Sequence, residues 1–161
     1  LLGTPADPFP CWQAIRGLET LFVRVKKQMY NAAKLAAFFE ADPHVVKVNH
    51  PSLESFPQRE LAKKLWSNDE AMTGMMSIIL NTEEIEKIDA FMGKLEFVHY
   101  ATTLGGLRTT LNHPCTSSHG HMPDEDRRKM GITPGMFRIS VGIEDTEDLI
   151  NDFKQAFTAL D

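Results

Sequence analysis

Residues 136 to 141 alternate strictly between two kinds of side chain. One set consists of Phe137, Ile139 and Val141, and the other of Met136, Arg138 and Ser140. This alternation predicts a β-strand with one buried face, because successive side chains of a strand point to opposite faces of the sheet. The chain must therefore contain a sheet that is covered on one face, and Arg138 points away from the covered face.

Apolar residues recur every three or four positions in several segments, which is typical of amphipathic helices. The predicted helices are residues 12–17, 22–39, 57–66, 85–92, 123–129 and 145–161. In the longest of them the predicted buried stripe is Phe22, Val25, Met29, Ala33, Ala36 and Phe39. The predicted polar side of the same helix carries Lys26, Lys27, Asn31 and Lys34.

Further strands are predicted at residues 45–48, 74–80 and 97–100, from β-branched or continuous apolar runs. Asn81 followed by Glu84 resembles a capping box that opens the next helix. Gly93 and Gly131 are expected to end helices in the left-handed conformation. The segment from Asn112 to Met122 has no period and is expected to form an exposed or cleft-lining loop.

The 161 residues are enough for one domain with its own core. Strands alternating with helices usually indicate a parallel sheet, but these strands are few, short and unevenly spaced. We therefore predict an α+β fold: a two-layer sandwich whose small, mostly antiparallel sheet has helices on one face. The proline-rich segment Leu1–Pro10 is typical of a connector, so we interpret the chain as a piece of a longer protein.

Seventeen basic and 22 acidic residues give a net charge of −5. This charge repels nucleic acids and anionic membranes at long range, so neither is an expected partner. No apolar run approaches the roughly 20 residues of a membrane-spanning helix. The two cysteines, Cys11 and Cys115, lie far apart and form no disulfide framework, which favours a cytoplasmic location.

Three groups of residues are candidates for chemistry. The segment with His113, Cys115, His119 and His121 offers zinc or copper ligands, but its spacing matches no common metal site and we predict none. Arg138 requires either an anionic ligand or an internal acidic partner, and the strand pattern does not decide between them. The pair Gly105-Gly106 permits a tight turn and close approach of a ligand to the backbone.

Several motifs in a fixed order resemble the C-terminal domain of the pyridoxal-phosphate (PLP) enzymes of cysteine and methionine metabolism, the cystathionine and methionine γ-lyase and cystathionine γ-synthase family. They are Ala101–Gly106, Asn112–Pro114, His119, Asp126–Arg128, Gly131–Thr133, Phe137–Asp145 and Asp148-Leu149, with Arg16–Leu21 near the start. The resemblance implies the small domain of an aspartate-aminotransferase-like, type I fold. It also implies that residues 1–21 are a linker and connecting helix from an N-terminal cofactor domain, and that residues 22–161 bind the substrate carboxylate.

In that family the arginine that matches Arg138 binds the α-carboxylate of the substrate. Thr103 stands at the place of a serine that assists there, and Thr102 at a position that is often glutamate. The resemblance therefore implies substrate-binding roles for Arg138, Thr103 and Thr102. It places the catalytic and cofactor-binding residues, including the lysine that holds PLP, in the N-terminal domain and none in this chain.

The resemblance thus implies a fragment of a cytoplasmic, homotetrameric enzyme that uses PLP and acts at Cγ of sulfur or O-acyl amino acids. By this interpretation the fragment alone is inactive. An alternative of another class is a freestanding α+β module that binds a small anion at Arg138 without catalysis. A third possibility is a metal-binding domain built on His113, Cys115, His119 and His121.

Overall fold

The computed structural model of the chain describes residues 3, 5–66 and 73–161. Its helices are α1 (Pro8–Glu19), α2 (Leu21–Ala41), α3 (Arg59–Leu65), α4 (Ile85–Lys94), α5 (Asp124–Lys129) and α6 (Thr146–Phe157). Its strands are β1 (Val45–Asn49), β2 (Met75–Leu80), β3 (His99–Tyr100), β4 (Thr110–Asn112) and β5 (Met136–Ser140). In these ranges no helix is both long and apolar enough to cross a membrane.

The strands form one sheet in the order β1-β2-β5-β4-β3. Only β3 and β4 pair in parallel, and the other three pairings are antiparallel. The predicted α+β fold with a small, mostly antiparallel sheet is therefore confirmed. Strand β4 was missed, because it is three residues long and has a single apolar residue, Leu111, which is too little for a period.

The core lies on one face of the sheet, as the alternation in β5 predicts. Met76, Ile78, Leu111, Phe137 and Ile139 point to this face and are at most 3% exposed. Helices α2, α4 and α6 cover them, and the largest side chains that they contribute are Phe39, Phe91, Phe153 and Phe157. The rings of Phe39 and Phe153 meet edge to face at 4.7 Å, an arrangement that aromatic pairs prefer.

The predictions for the first two helices need correction. Leu1, Leu2 and Thr4 of the predicted connector lie outside the described residues, but Pro8–Pro10 are helical, because Asp7 caps α1 by accepting a hydrogen bond from Phe9 N at 3.0 Å. In α2 the predicted stripe is wrong at its start, where Phe22 is 79% exposed. The first turns of α2 extend past the sheet, and the buried side begins at Gln28 and includes Asn31.

Two predicted helix ends are also wrong. Helix α4 begins after Glu84, and Asn81 forms no capping box with it, because the Asn81 side chain instead donates to the carbonyl of Pro43 at 3.1 Å. Gly93 lies inside α4 and has no positive φ. Gly131 does adopt the left-handed conformation, with φ of 77°, after α5 ends.

The segment from Asn112 to Met122 is less exposed than predicted. Its first residue belongs to β4, and residues 112–115 are buried. His113 packs on the Phe137 ring with a centroid distance of 5.0 Å. The Cys115 thiol donates to the carbonyl of Thr133 at 3.1 Å, and burial raises the pKa of the Cys115 thiol. This part of the segment is therefore packed structure rather than a loop lining a cleft.

Asp152 of α6 fixes the approach to β3. Asp152 is 4% exposed, and its carboxylate accepts hydrogen bonds from the backbone N–H groups of Glu96, Phe97 and Val98, at 2.8 to 3.0 Å. Of these three donor residues Val98 is buried, and its N–H would be left without a partner if the carboxylate were removed. A single side chain of the last helix therefore fixes the turn that leads into the sheet edge.

We expect Asp152→Asn to lower the free energy of unfolding of the full-length protein by about 1–3 kcal/mol, because the amide replaces a carboxylate oxygen that accepts from backbone donors. Urea unfolding followed by circular dichroism measures the change. Asp89→Asn, at an exposed position on α4, is the matched control and should lie within about 0.5 kcal/mol of the parent. Equal losses in the two variants would contradict the role of Asp152.

His44 links the end of α2 to the last residues of the chain. Its Nδ1 lies 2.9 Å from Asp42 Oδ1 and its Nε2 lies 3.0 Å from Asp161 Oδ1. The imidazole also stacks on the Phe157 ring, and the nearby Lys87 donates to the carbonyl of Leu160. Burial lowers the pKa of His44, but the hydrogen bonds and charges of Asp42 and Asp161 outweigh burial, so the pKa of His44 lies above its ordinary value of 6.5.

A raised pKa in the folded state means that the charged ring stabilises the fold. This contribution is complete below the unfolded pKa and is lost as the pH rises through the folded pKa. In His44→Gln we therefore expect the loss in unfolding free energy to be largest at about pH 5.5–6.5 and to shrink at higher pH. Urea unfolding of both proteins, from about pH 5.5 to a pH well above the folded pKa of His44, tests this expectation, with the exposed His99→Gln as control. A loss that is the same at every pH would exclude the charged pair.

Candidate functional site

Arg138 lies in the middle of β5, the central strand of the sheet, on the face opposite the core. Its neighbours in register are Ser77 on β2 and Asn112 on β4, and Ser77 is in turn opposite Asn49 on β1. Residues that face one another across strands share a face of the sheet, so these four side chains form a polar row across it. Asn49 donates to the Ser77 hydroxyl at 2.9 Å. The row makes this face suited to a polar ligand.

The Arg138 guanidinium binds the chain between β3 and β4. Its Nη2 donates to the carbonyls of Thr102 at 2.9 Å and Thr103 at 3.2 Å. Its Nε is buried and has no hydrogen-bond partner among the described residues. No described carboxylate lies within salt-bridge distance of Arg138, so an internal acidic partner, one of the two possibilities left by the sequence, is not found there. The positive charge is thus not neutralised by a carboxylate of the described chain.

The β3–β4 loop (residues 101–109) is tied to the sheet beside Arg138. Gly105 N donates to the Ser140 hydroxyl at 2.9 Å, and the Thr110 hydroxyl donates to the carbonyl of Thr103 at 3.1 Å. Gly105 has φ of 73°, a conformation that glycine adopts without steric cost. The Gly105-Gly106 pair therefore forms a tight turn. This turn follows Thr102 and Thr103, whose carbonyls contact the Arg138 guanidinium.

The far end of the loop is held by Thr109 and Glu144. The Glu144 carboxylate accepts from Thr109 N and from the Thr109 hydroxyl, which itself accepts from Gly142 N at 2.9 Å. A Cβ on Gly142 would lie 2.3 Å from the carbonyl oxygen of Leu107. Gly142 is therefore required by close approach of the loop, not by a special φ.

Helix α2 carries two buried amides, of which Gln28 contacts the loop directly and Asn31 contacts the segment after β5 that holds Glu144. Gln28 Nε2 donates to the carbonyl of Gly106 at 2.6 Å. Asn31 Nδ2 donates to the carbonyls of Gly142 and Glu144 at 3.1 and 2.8 Å, and its Oδ1 accepts from the Thr146 hydroxyl. Asn31 is completely buried with its polar atoms paired. The loop that contacts Arg138 is thus connected to the core helix.

Thr102 and Thr103, the other two predicted site residues, lie beside Arg138 but act through their backbone. Both are exposed, and neither hydroxyl forms a hydrogen bond with another described residue. The structure therefore brings all three predicted residues together. In it, the threonine carbonyls orient the guanidinium, and the hydroxyls face outwards.

The structure does not assemble the possible metal ligands. His113 is 1% exposed, with Nδ1 near the Thr116 hydroxyl at 3.0 Å and Nε2 near the carbonyl of Pro134 at 2.6 Å. The Cys115 thiol donates to the Thr133 carbonyl, and His119 Nδ1 forms a hydrogen bond with the Ser118 hydroxyl. Within the described residues no group of three or more metal-binding side chains converges. These residues pack and form hydrogen bonds instead.

Sequence reasoning missed five residues that build the loop: Gln28, Asn31, Thr109, Ser140 and Glu144. Ser140 had a local signal, because the alternation in β5 places it on the face of Arg138. Asn31 was assigned to the polar side of its helix and is in fact buried. Its partners lie more than 100 residues away, so no local pattern could find the contact.

The arrangement can bind an anion, and its donor set fits a carboxylate. A guanidinium has five N–H donors, and here only Nη2 is used by described residues. All ten lysines of the chain lie in the described ranges, and none of them is buried in this structure.

Comparisons with known proteins agree with the sheet and with the motifs. The family described as Cys/Met metabolism PLP-dependent enzyme matches residues 1–158. A cystathionine gamma-lyase of Mus musculus is 37% identical over 98% of this chain and 39% of its own length. An L-methionine gamma-lyase of Treponema denticola is 36% identical over 99% of this chain and 39% of its own length.

A crystal structure of cystathionine gamma synthase from Xanthomonas oryzae pv. oryzae, in complex with cystathionine, gives a TM-score of 0.87 at 32% identity. The likeness covers 98% of this chain and 40% of that one. The chain therefore spans about two fifths of the length of the relatives that it matches. The match along nearly its whole length shows that the chain belongs to the family of PLP-dependent enzymes of cysteine and methionine metabolism.

Proposed function

We propose that the full-length protein is a PLP-dependent lyase or transferase that acts at Cγ of sulfur or O-acyl amino acids, and that this chain supplies its α-carboxylate site. The observation that carries the proposal is Arg138, a guanidinium without an acidic partner among the described residues, held by two backbone carbonyls on the polar face of the sheet. Such a group selects carboxylates by charge and by its planar donors.

Each of the three site residues has a distinct role in this proposal. Arg138 binds the α-carboxylate through the donors that the loop does not use. Thr103 presents its hydroxyl beside the same carboxylate, and its carbonyl fixes the guanidinium. Thr102 lies where a distal group of the substrate passes. Holding the carboxylate places the substrate beside the cofactor, and this binding contributes to kcat/KM.

We further propose that PLP and the lysine that holds it belong to another part of the full-length protein. PLP would supply an electron sink for bond cleavage, and the described residues of this chain would supply none of that chemistry. The division at residue 21 follows the same proposal. Helix α1 has no buried residue, which suits a connector between parts of a protein, whereas α2 begins the supported core.

The substrate side chain is a finer part of the proposal. A threonine at position 102 carries no charge, so it offers no ion pair to a distal ammonium group such as that of cystathionine. Uncharged side chains, as in methionine or O-acylated homoserine, are therefore favoured over cystathionine. We also propose a homotetramer in the cytoplasm, which size-exclusion chromatography with light scattering and cell fractionation would measure.

We expect Arg138→Ala to lower kcat/KM for the amino-acid substrate by about 10- to 150-fold in the full-length protein, because a hydrogen bond to a charged group contributes about 1.5–3 kcal/mol. Cofactor binding should change little. Turnover of cystathionine, methionine and O-acetylhomoserine measures kcat/KM. The visible absorbance of PLP that remains after dialysis measures cofactor binding.

Arg128→Ala is the matched control, since Arg128 pairs with Glu83 and Asp124 on the surface and should leave both quantities unchanged. Equal loss of substrate turnover and of bound PLP in Arg138→Ala would contradict a carboxylate site. A parent protein that remains colourless with added PLP would instead favour the anion-binding module.

A further inference from the structure

Ser140 is close to the carboxylate site but has no role in the proposal above. It lies two residues after Arg138 on β5, so the two side chains share a face of the sheet and begin roughly 6–7 Å apart. Ser140 is 2% exposed. Its hydroxyl therefore has no direct access for a ligand, and any effect on substrate must pass through a neighbouring group.

That neighbouring group is the backbone of the β3–β4 loop. The Ser140 hydroxyl accepts from Gly105 N at 2.9 Å. Gly105 lies two residues after Thr103, whose carbonyl binds Arg138 Nη2. Two residues leave the chain little freedom, so the position of the Gly105 N–H limits where the Thr103 carbonyl and hydroxyl can lie. Ser140 and Arg138 thus hold the same short stretch from adjacent places on one strand.

The conformation of Gly105 shows how specific this hold is. Its φ of 73° is strained for any residue with a side chain, yet a Cβ there would meet nothing within 4 Å. The backbone is thus in the left-handed region although no neighbouring atom crowds the position. In this conformation the Gly105 N–H donates a hydrogen bond to the Ser140 hydroxyl.

We infer that Ser140 is a positioning residue of the carboxylate site: it fixes the β3–β4 loop so that the Thr102 and Thr103 carbonyls hold the Arg138 guanidinium in the orientation that binds substrate. The inference rests on the proposed function of Arg138. Because the carboxylate is bound in the ground state and the transition state alike, loss of this orientation raises KM and leaves kcat nearly unchanged.

The test uses Ser140→Ala in the full-length PLP-bound protein. For the amino acid with the highest turnover among cystathionine, methionine and O-acetylhomoserine, we expect KM to rise about five- to tenfold, the size of one lost hydrogen bond, with kcat per bound PLP within about twofold. The KM for the α-carboxamide of the same amino acid should rise less. Discrimination between acid and amide should therefore fall, which a general loss of stability would not cause.

Thr82→Val is the matched control. The Thr82 hydroxyl also accepts one hydrogen bond from a backbone N–H, that of Glu84 at 3.1 Å, but it lies between β2 and α4 and outside the β3–β4 loop. The KM and the acid-to-amide discrimination of this variant should stay at the parent values. If Ser140→Ala and Thr82→Val give the same values, the positioning role is wrong.

A second pair of variants applies if Ser140→Ala does not fold. Gly105→Ala adds a methyl group in open space but strains the left-handed backbone, so it should move the same N–H and raise KM in the same way. Gly93→Ala, within α4, likewise adds a methyl group in open space at a glycine without a positive φ, and it should leave KM unchanged. A Gly105→Ala protein with parental KM and discrimination would overturn the inference.

The two proposals fail in different ways. If Arg138→Ala leaves KM and acid-to-amide discrimination unchanged, the carboxylate site itself is wrong. If Arg138→Ala abolishes the discrimination while Ser140→Ala and Gly105→Ala behave as their controls, the carboxylate site stands and only the role of Ser140 is rejected.

Discussion

The one-sided burial of strand β5 is the constraint on which the rest of the structure depends. Phe137 and Ile139 are completely buried in the aromatic core, and they fix the register of the strand against β2 and β4. A shift by one residue would exchange the two faces and place Arg138 in the core, at a cost of several kcal/mol for a buried unpaired charge. The contacts that stabilise the fold therefore also orient the arginine.

The β3–β4 loop depends on this strand through polar contacts rather than apolar ones. Buried side chains on two elements hold it directly, Gln28 on α2 and Ser140 on β5. Its own Thr109 bonds Glu144, and Asn31 on α2 holds the segment that carries Glu144. Buried polar groups that are fully paired make a structure rigid and unique, since every alternative arrangement leaves some of them without partners. A loop held in this way can keep two carbonyls aimed at one guanidinium without a ligand present.

The parts of this structure that were predictable are those whose signal is local. The alternation in β5 indicated a strand, its buried face and the direction of Arg138, and the helical spacing placed most helices. Local patterns gave wrong predictions where contacts with residues distant in the sequence determine the structure. Asn31 looks like a surface residue but binds Gly142, 111 positions along the chain. Asn81 matched a capping box but binds Pro43, and β4 is a strand because it pairs with both β3 and β5. The substrate-binding roles expected for Arg138, Thr103 and Thr102 rest on the resemblance carried by the ordered motifs, which local periodicity does not reveal.

The loop carbonyls also decide which side of Arg138 a ligand can reach. Both protons of Nη2 have acceptors in Thr102 and Thr103, and Nε is buried, so Nη1 is the part of the guanidinium that stays open to a carboxylate. A lysine would not reproduce this arrangement, because its three donors radiate from one nitrogen and cannot reach the loop and a ligand in separate, fixed directions. The planar fork of arginine performs both tasks, one on each nitrogen. The loop contacts therefore favour arginine at this position as much as the charge of an anionic ligand does.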